Sequence, residues 1–90
     1  MSDDLQVHRE EIDRLDDQIL RLLNERSKSV IEIGRLKKLK DAAANLHTPA
    51  REAAIFDRLS KQNTGPFPTE AIRAVYREIM SASLSLEGPQ

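Results

Sequence analysis

The sequence predicts an all-α protein with three helices per chain, the first of them long, and a fold completed by a second copy of itself. Three observations lead there. Leu, Ile, Ala, Glu, Arg and Lys are abundant, a composition that favours helix. Apolar residues recur at heptad-like spacing from Leu5 to about Lys40 with no proline in between. Finally, 90 residues without a cysteine can neither build a large core nor staple a small one with disulfides. Association is the remaining route to stability.

Each element has its own signals. In the first helix Leu5, Ile12, Ile19 and Ile33 share one position of the repeat, and Leu15, Leu22 and Leu36 share the other. Gly34 is the weak point of the run, where a break would shorten the rod. Unbroken, about 36 residues at about 1.5 Å each make a rod of about 54 Å. A compact domain of this length has a radius of gyration of only about 12 Å. One end of the rod must then project beyond its own chain's core, and its apolar seam calls for cover from a second chain.

Residues 41–47 lose the pattern and read as a connection. Thr48-Pro49 is a start signal, a hydroxyl at the N-cap before proline at the first helical position. The second helix runs from Pro49 to about Gln62. Asn63-Thr64-Gly65-Pro66-Phe67-Pro68 is a dense breaker. Thr69 can cap a third helix, on which Ile72, Tyr76, Ile79 and Ser83 follow at spacings of 4, 3 and 4. Gly88-Pro89-Gln90 reads as a frayed tail or the cut edge of a longer polypeptide, and residues 1–90 as a single domain.

The formal net charge is −1, with acids and bases interspersed. Nucleic-acid binding needs a basic stripe that releases counterions, so no nucleic-acid partner is expected. The N-terminus is acidic, without the apolar stretch of a signal peptide, and no apolar run approaches transmembrane length. The expectation is a cytoplasmic protein with no membrane partner. His8 and His47 have no carboxylate at a metal-ligand spacing. Nucleophile elbow, glycine-rich phosphate loop and cysteine nucleophile are all missing from the sequence. What remains suits a site that binds anions and donates hydrogen bonds, without covalent catalysis.

Polar residues interrupt the apolar pattern at definite places. Beyond Ile19 and Leu22 the seam would continue through Arg26 and Ser29 before Ile33 and Leu36 resume it. A guanidinium inside a seam is costly unless an anion pairs with it. Lys37 follows Arg26 by eleven residues, almost three full turns, so both cations face the same way about 16 Å apart. A small dianion fits between them; equally, Arg26 can pair with a buried glutamate and Lys37 can be solvated. Arg9 lies about 25 Å before Arg26 and about a quarter-turn off its face. It can share a small ligand with Arg26 only if it comes from a partner subunit, and otherwise it is a surface arginine beside Glu10 and Asp13. Glu52 shares the second helix's apolar stripe with Ile55 and Leu59, either as partner of a buried arginine or as acceptor for a ligand hydroxyl. Ser83 and Glu87 extend the stripe of the third helix, by simple fraying or as the edge of a polar site.

Taken in order, these residues resemble a known family. Arg9-Glu10-Glu11-Ile12-Asp13-Arg14-Leu15-Asp16, then Leu22-Leu23-Asn24-Glu25-Arg26, then Ile33-Gly34-Arg35-Leu36-Lys37 resemble the long first helix of the all-helical chorismate mutases. Thr48-Pro49-Ala50-Arg51-Glu52 is similar to the start of their second helix. Residues 78–87 look like the end of their third, particularly in mutase domains fused to prephenate dehydratase. The resemblance implies an intertwined homodimer with shared active sites, rearranging chorismate to prephenate without metal or cofactor in aromatic amino-acid biosynthesis.

Carried over by position, it gives catalytic roles to Lys37, Glu87 and Arg26. Arg26, and Arg9 from the other chain, would hold the two substrate carboxylates. Lys37 would contact a carboxylate and the ether oxygen of the breaking bond, which Glu87 also faces. Glu52 would accept from the ring hydroxyl, Ser83 would donate to a carboxylate, and Arg51 lies near the site. At position 48 some members carry aspartate where this chain has Thr48; a contact made through the backbone amide would be little changed by that difference. The alternatives are an isochorismate pyruvate lyase of the same fold, or a non-catalytic helical dimerisation module in which Arg26 and Glu52 form a buried ion pair.

Overall fold

The computed structural model describes residues 3–43 and 45–87. The expectation for Gly88-Pro89-Gln90 lies outside the described residues. The chain forms three helices, α1 (Asp3–Lys40), α2 (Pro49–Gln62) and α3 (Thr69–Leu86). Among the described residues there is no strand.

Helix α1 runs unbroken through Gly34 for 38 residues. Asp3 and Asp4 in its first turn and Lys37, Lys38 and Lys40 in its last complement the helix dipole. Side-chain pairs one turn apart brace its solvated face: Glu11 with Arg14, Arg21 with Glu25 at 3.2 Å, and Glu32 with Arg35. Such exposed pairs add a small, salt-dependent stabilisation to the helix. The molecule extends 62 × 24 × 18 Å with a radius of gyration of 17.0 Å, well above that of a compact domain of this length. The rod projects, as its length requires.

Helix α3 packs against both α1 and α2 and carries the centre of the fold. Among the described residues the buried hydrophobic ones are Val30 of α1, Ile55 of α2 and Met80 of α3, and Gly34 and Ser83 are buried as well. That is a small core. Along the seam, by contrast, Leu5, Ile12, Leu15, Ile19 and Leu22 remain 42–62% exposed. Burying one such side chain fully is worth about 1.5–3 kcal/mol, so the single chain leaves a large apolar stabilisation unused.

Two capping expectations need correction. Thr48 is the N-cap of α2 by position, with Pro49 next, but its hydroxyl makes no capping bond. Its ψ of 85° falls short of the extended region in which an N-cap side chain reaches back to the helix amides. Thr69 does not cap α3: Pro68 holds the N-cap position in extended backbone, and Thr69 is the first helical residue. The Thr69 Oγ1 instead accepts from Asn63 Nδ2 at 2.9 Å, and the same amide nitrogen donates to the Phe67 carbonyl at 2.8 Å. Asn63 Oδ1 accepts from the amide of Gly65, the turn residue with a positive φ of 74°. A single asparagine thus clasps the loop that aims α3 back along α1.

Candidate active site

A pocket of about 130 Å³ opens where the C-terminal half of α1, the start of α2 and the end of α3 meet. Arg26, Lys37, Thr48, Arg51, Glu52, Ser83 and Glu87 all line it. These are the site residues expected from the sequence, with the exception of Arg9. Arg9 is exposed near the other end of α1, about 25 Å from Arg26 along the rod, and does not line this pocket. Val30, Ile33, Ile55 and Met80 supply the apolar walls.

The polar groups are held by specific bonds. Arg26 Nη1 donates to Ser83 Oγ at 2.7 Å, and Ser83 Oγ donates to the Ile79 carbonyl at 2.7 Å. A guanidinium has no acceptor, so the single hydroxyl proton of Ser83 goes to Ile79. Ser83, only 8% exposed, therefore acts here as the acceptor that fixes Arg26, not as a donor into the pocket. Four of the five guanidinium hydrogens are left for other partners, in the fork geometry that suits a carboxylate. Among the described residues Arg26 has no carboxylate partner, so a buried Arg26–Glu52 pair does not form.

Lys37 Nζ donates to Glu87 Oε1 at 3.1 Å and to the Leu46 carbonyl at 3.3 Å. An ammonium has three hydrogens, so one remains for a ligand. Both side chains of this pair are largely withdrawn from solvent, with Lys37 29% and Glu87 14% exposed. Lys37 is thus not an ordinary solvated lysine. Glu52 Oε2 lies 3.5 Å from Nε2 of His47. His47 escapes notice in the sequence because it sits in the patternless connection; its place five residues before Glu52 has no helical meaning.

The arrangement sets three cations against two carboxylates around a small cavity. That excess of positive charge favours a compact anion with hydroxyl or ether oxygens to match the remaining groups. Side-chain pairing shifts acidity on the exposed face of α1. Hydrogen bonds from Arg14 and Arg35 hold the carboxyls of Glu11 and Glu32 below the usual carboxylate range, and raise the two guanidinium groups in return. Among the described residues no group of three or more His, Cys, Asp or Glu side chains is placed to hold a metal ion. No helix among them is long and apolar enough to cross a membrane.

The family model for chorismate mutase type II matches residues 8–88, almost the whole chain. The chain belongs to that family. It is 47% identical over 89 residues to a bifunctional chorismate mutase/prephenate dehydratase of Aquifex aeolicus, a match covering 94% of this chain and 24% of that protein. It thus spans about a quarter of the length of the curated relatives it matches. Among solved structures it resembles form II of the chorismate mutase of Thermus thermophilus, with a TM-score of 0.88, 43% identity and 98% of each chain covered. It also resembles the chorismate mutase of Helicobacter pylori in complex with prephenate, with a TM-score of 0.80 at 28% identity, covering 92% of this chain and 88% of that one. Family membership agrees with the three-helix fold and long first helix expected from the residues alone.

Proposed function

We propose that this chain is a chorismate mutase, an isomerase that rearranges chorismate to prephenate in aromatic amino-acid biosynthesis, working in the cytoplasm as a homodimer with shared sites. Residues 1–90 act as one mutase unit. The observation that carries the reading is the convergence of Arg26, Lys37, Glu52 and Glu87 from three separate elements on one small, positively biased pocket. A prephenate complex of a structural relative supports the same substrate class.

The rearrangement breaks one C–O bond and forms one C–C bond in a concerted step, so it needs no nucleophile. The protein contributes in two ways. Gripping both carboxylates selects the compact chair-like conformer, an orientation effect. Arg26, fixed by Ser83, takes one carboxylate. The other falls to the partner subunit's Arg9, since Arg9 of the same chain is too far along the rod. The second contribution is electrostatic. Lys37 offers its remaining hydrogen to the ether oxygen as negative charge grows there, and Glu87, when protonated, donates to the same atom. Glu52 accepts from the ring hydroxyl, while Thr48 and Arg51 complete the rim.

The dimer is supported by the exposed apolar seam of α1, which a second α1 can cover, and by the position of Arg9 on that projecting half. Following chorismate loss by absorbance tests the reading, with isochorismate assayed in parallel. Saturable turnover of chorismate is expected. Pyruvate release from isochorismate without chorismate turnover would replace the mutase with a lyase, and inertness toward both would leave a scaffold.

A further inference from the structure

The close approach between α1 and the end of α3 has a consequence at the pocket. Gly34 is buried in the last third of α1, one turn before Lys37. A Cβ built on Gly34 would lie 2.7 Å from both the Cα and the carbonyl carbon of Glu87, and closer still to the Glu87 carbonyl oxygen. Real Cβ atoms essentially never come that close, and the obstacle is backbone, which cannot swing aside as a flexible side chain can. Glycine in a helix interior is otherwise unfavourable relative to alanine. The position therefore costs α1 helical propensity and gives α3 room to seat its final turn.

What that turn carries is the reason it matters. Glu87 is the C-cap of α3, its amide bonded to the Leu84 carbonyl at 3.2 Å, and its carboxylate reaches Lys37 at 3.1 Å. Further in, the Arg26–Ser83 bond joins α3 to α1 about two turns before Gly34, and Val30, one turn before it, is buried like Met80. A side chain at position 34 would thus push back the last turn alone and withdraw the Glu87 carboxylate from Lys37 and from the pocket.

We infer that Gly34 is a positioning residue, which by lacking a side chain lets the Glu87 backbone rest on α1 and so sets the reach of the Glu87 carboxylate into the pocket. The inference rests on the mutase reading for its effect on turnover, and on geometry alone for its effect on the Lys37–Glu87 pair. Retreat of the turn by about 1 Å suffices, since a misplacement of that size can cost about 100-fold in rate.

The test compares the full chain with Gly34→Ala, Glu87→Ala and the double variant. Gly34→Ala should fold and lose about 10- to 100-fold in kcat with KM nearly unchanged. In the Glu87→Ala background the same change should cost less than about twofold, because the group it displaces has already gone. A crystal structure of Gly34→Ala should show Lys37 Nζ and Glu87 Oε1 separated beyond ion-pair distance. Equal losses in both backgrounds, a loss carried by KM, a chain that does not fold, or an intact Lys37–Glu87 pair would each overturn the inference. A wild-type chain inert toward chorismate would instead sink the mutase reading, and the crystal structure of Gly34→Ala would still decide the role of Gly34.

Discussion

Lys37 and Glu87, fifty residues apart in sequence, meet as an ion pair of 3.1 Å that joins the last turn of α1 to the C-cap of α3. The two groups that the mutase reading assigns to the ether oxygen therefore hold each other before any substrate arrives. In this pair Lys37 donates and Glu87 accepts, so what is preorganised is the Lys37 ammonium, which needs little reorganisation at the moment of reaction. The Leu46 carbonyl takes a second hydrogen of Lys37 and fixes its direction.

Removing Lys37 or Arg26, two of the pocket's three cations, should abolish most of the rate without unfolding the protein. Lys37→Ala and Arg26→Ala should each lower kcat/KM by about 100- to 1000-fold, the usual effect of deleting one preorganised donor. Arg26→Ala leaves Ser83 bonded to Ile79, so the buried hydroxyl stays satisfied and the stability loss should be near ~1 kcal/mol. Steady-state kinetics together with denaturant unfolding check both halves. Near-normal turnover in either variant would remove that residue from the site.

The role of Glu87 is testable by exchanging its hydrogen-bonding group. A carboxylate cannot donate to an ether oxygen, whereas a carboxamide of the same size can. Glu87→Gln should therefore retain or raise activity, whereas Glu87→Ala should lower kcat by about 100- to 1000-fold, the usual effect of deleting one preorganised donor. Steady-state kinetics of the two variants against the wild type check this. Near-normal turnover in Glu87→Ala would exclude Glu87 from the chemistry.

Acid should act on the rod through different groups. Hydrogen bonding to Arg14 and Arg35 holds the pKa values of Glu11 and Glu32 down in the folded state. A carboxyl with a depressed folded-state value binds more protons when unfolded, so its contribution is present above the unfolded value and is lost as pH falls through the folded one. Both carboxyls are exposed, so the effect is small and weakens with salt. Comparing Tm of the wild type with Glu11→Gln and Glu32→Gln should show a gap near neutrality that closes as the solution is acidified. A gap that widened with acid would contradict the pairing.

The fold was legible in the sequence because its signals are local. Heptad spacing, the Thr48-Pro49 start and the Asn63–Pro68 breaker each depend on neighbours along the chain, and the helices begin and end within about two residues of those marks. The pocket residues were legible only as anomalies, charges such as Arg26 and Glu52 on otherwise apolar stripes, and the family resemblance supplied their roles. Partnerships were not legible. Nothing local tells that Ser83 would accept from Arg26, that His47 would face Glu52, or that Gly34, the apparent weak point of α1, would be the seat of Glu87. The two threonine caps failed for a related reason, since backbone torsions at Thr48 and Pro68 decide capping and the residue type alone does not.

Sharing of the pocket between chains is testable by complementation. Suppose each pocket takes Arg26 from one chain and Arg9 from the other. Homodimers of Arg9→Ala or of Arg26→Ala should then be nearly inactive, because every pocket lacks one cation. When the two variants are unfolded together and refolded, about half the dimers should be mixed, by random pairing of a two-fold assembly. In a mixed dimer one pocket collects both defects, while the other receives an intact Arg26 from one subunit and an intact Arg9 from its partner. About one pocket in four across the sample should therefore recover full activity. Were both arginines to serve a pocket within one chain, every chain would still carry a defect and mixing would restore nothing. Absence of recovery, with mixed dimers verified by mass spectrometry, would return Arg9 to the solvated surface of α1 and leave the exposed seam of Leu5, Ile12 and Ile19 to be covered in some other way.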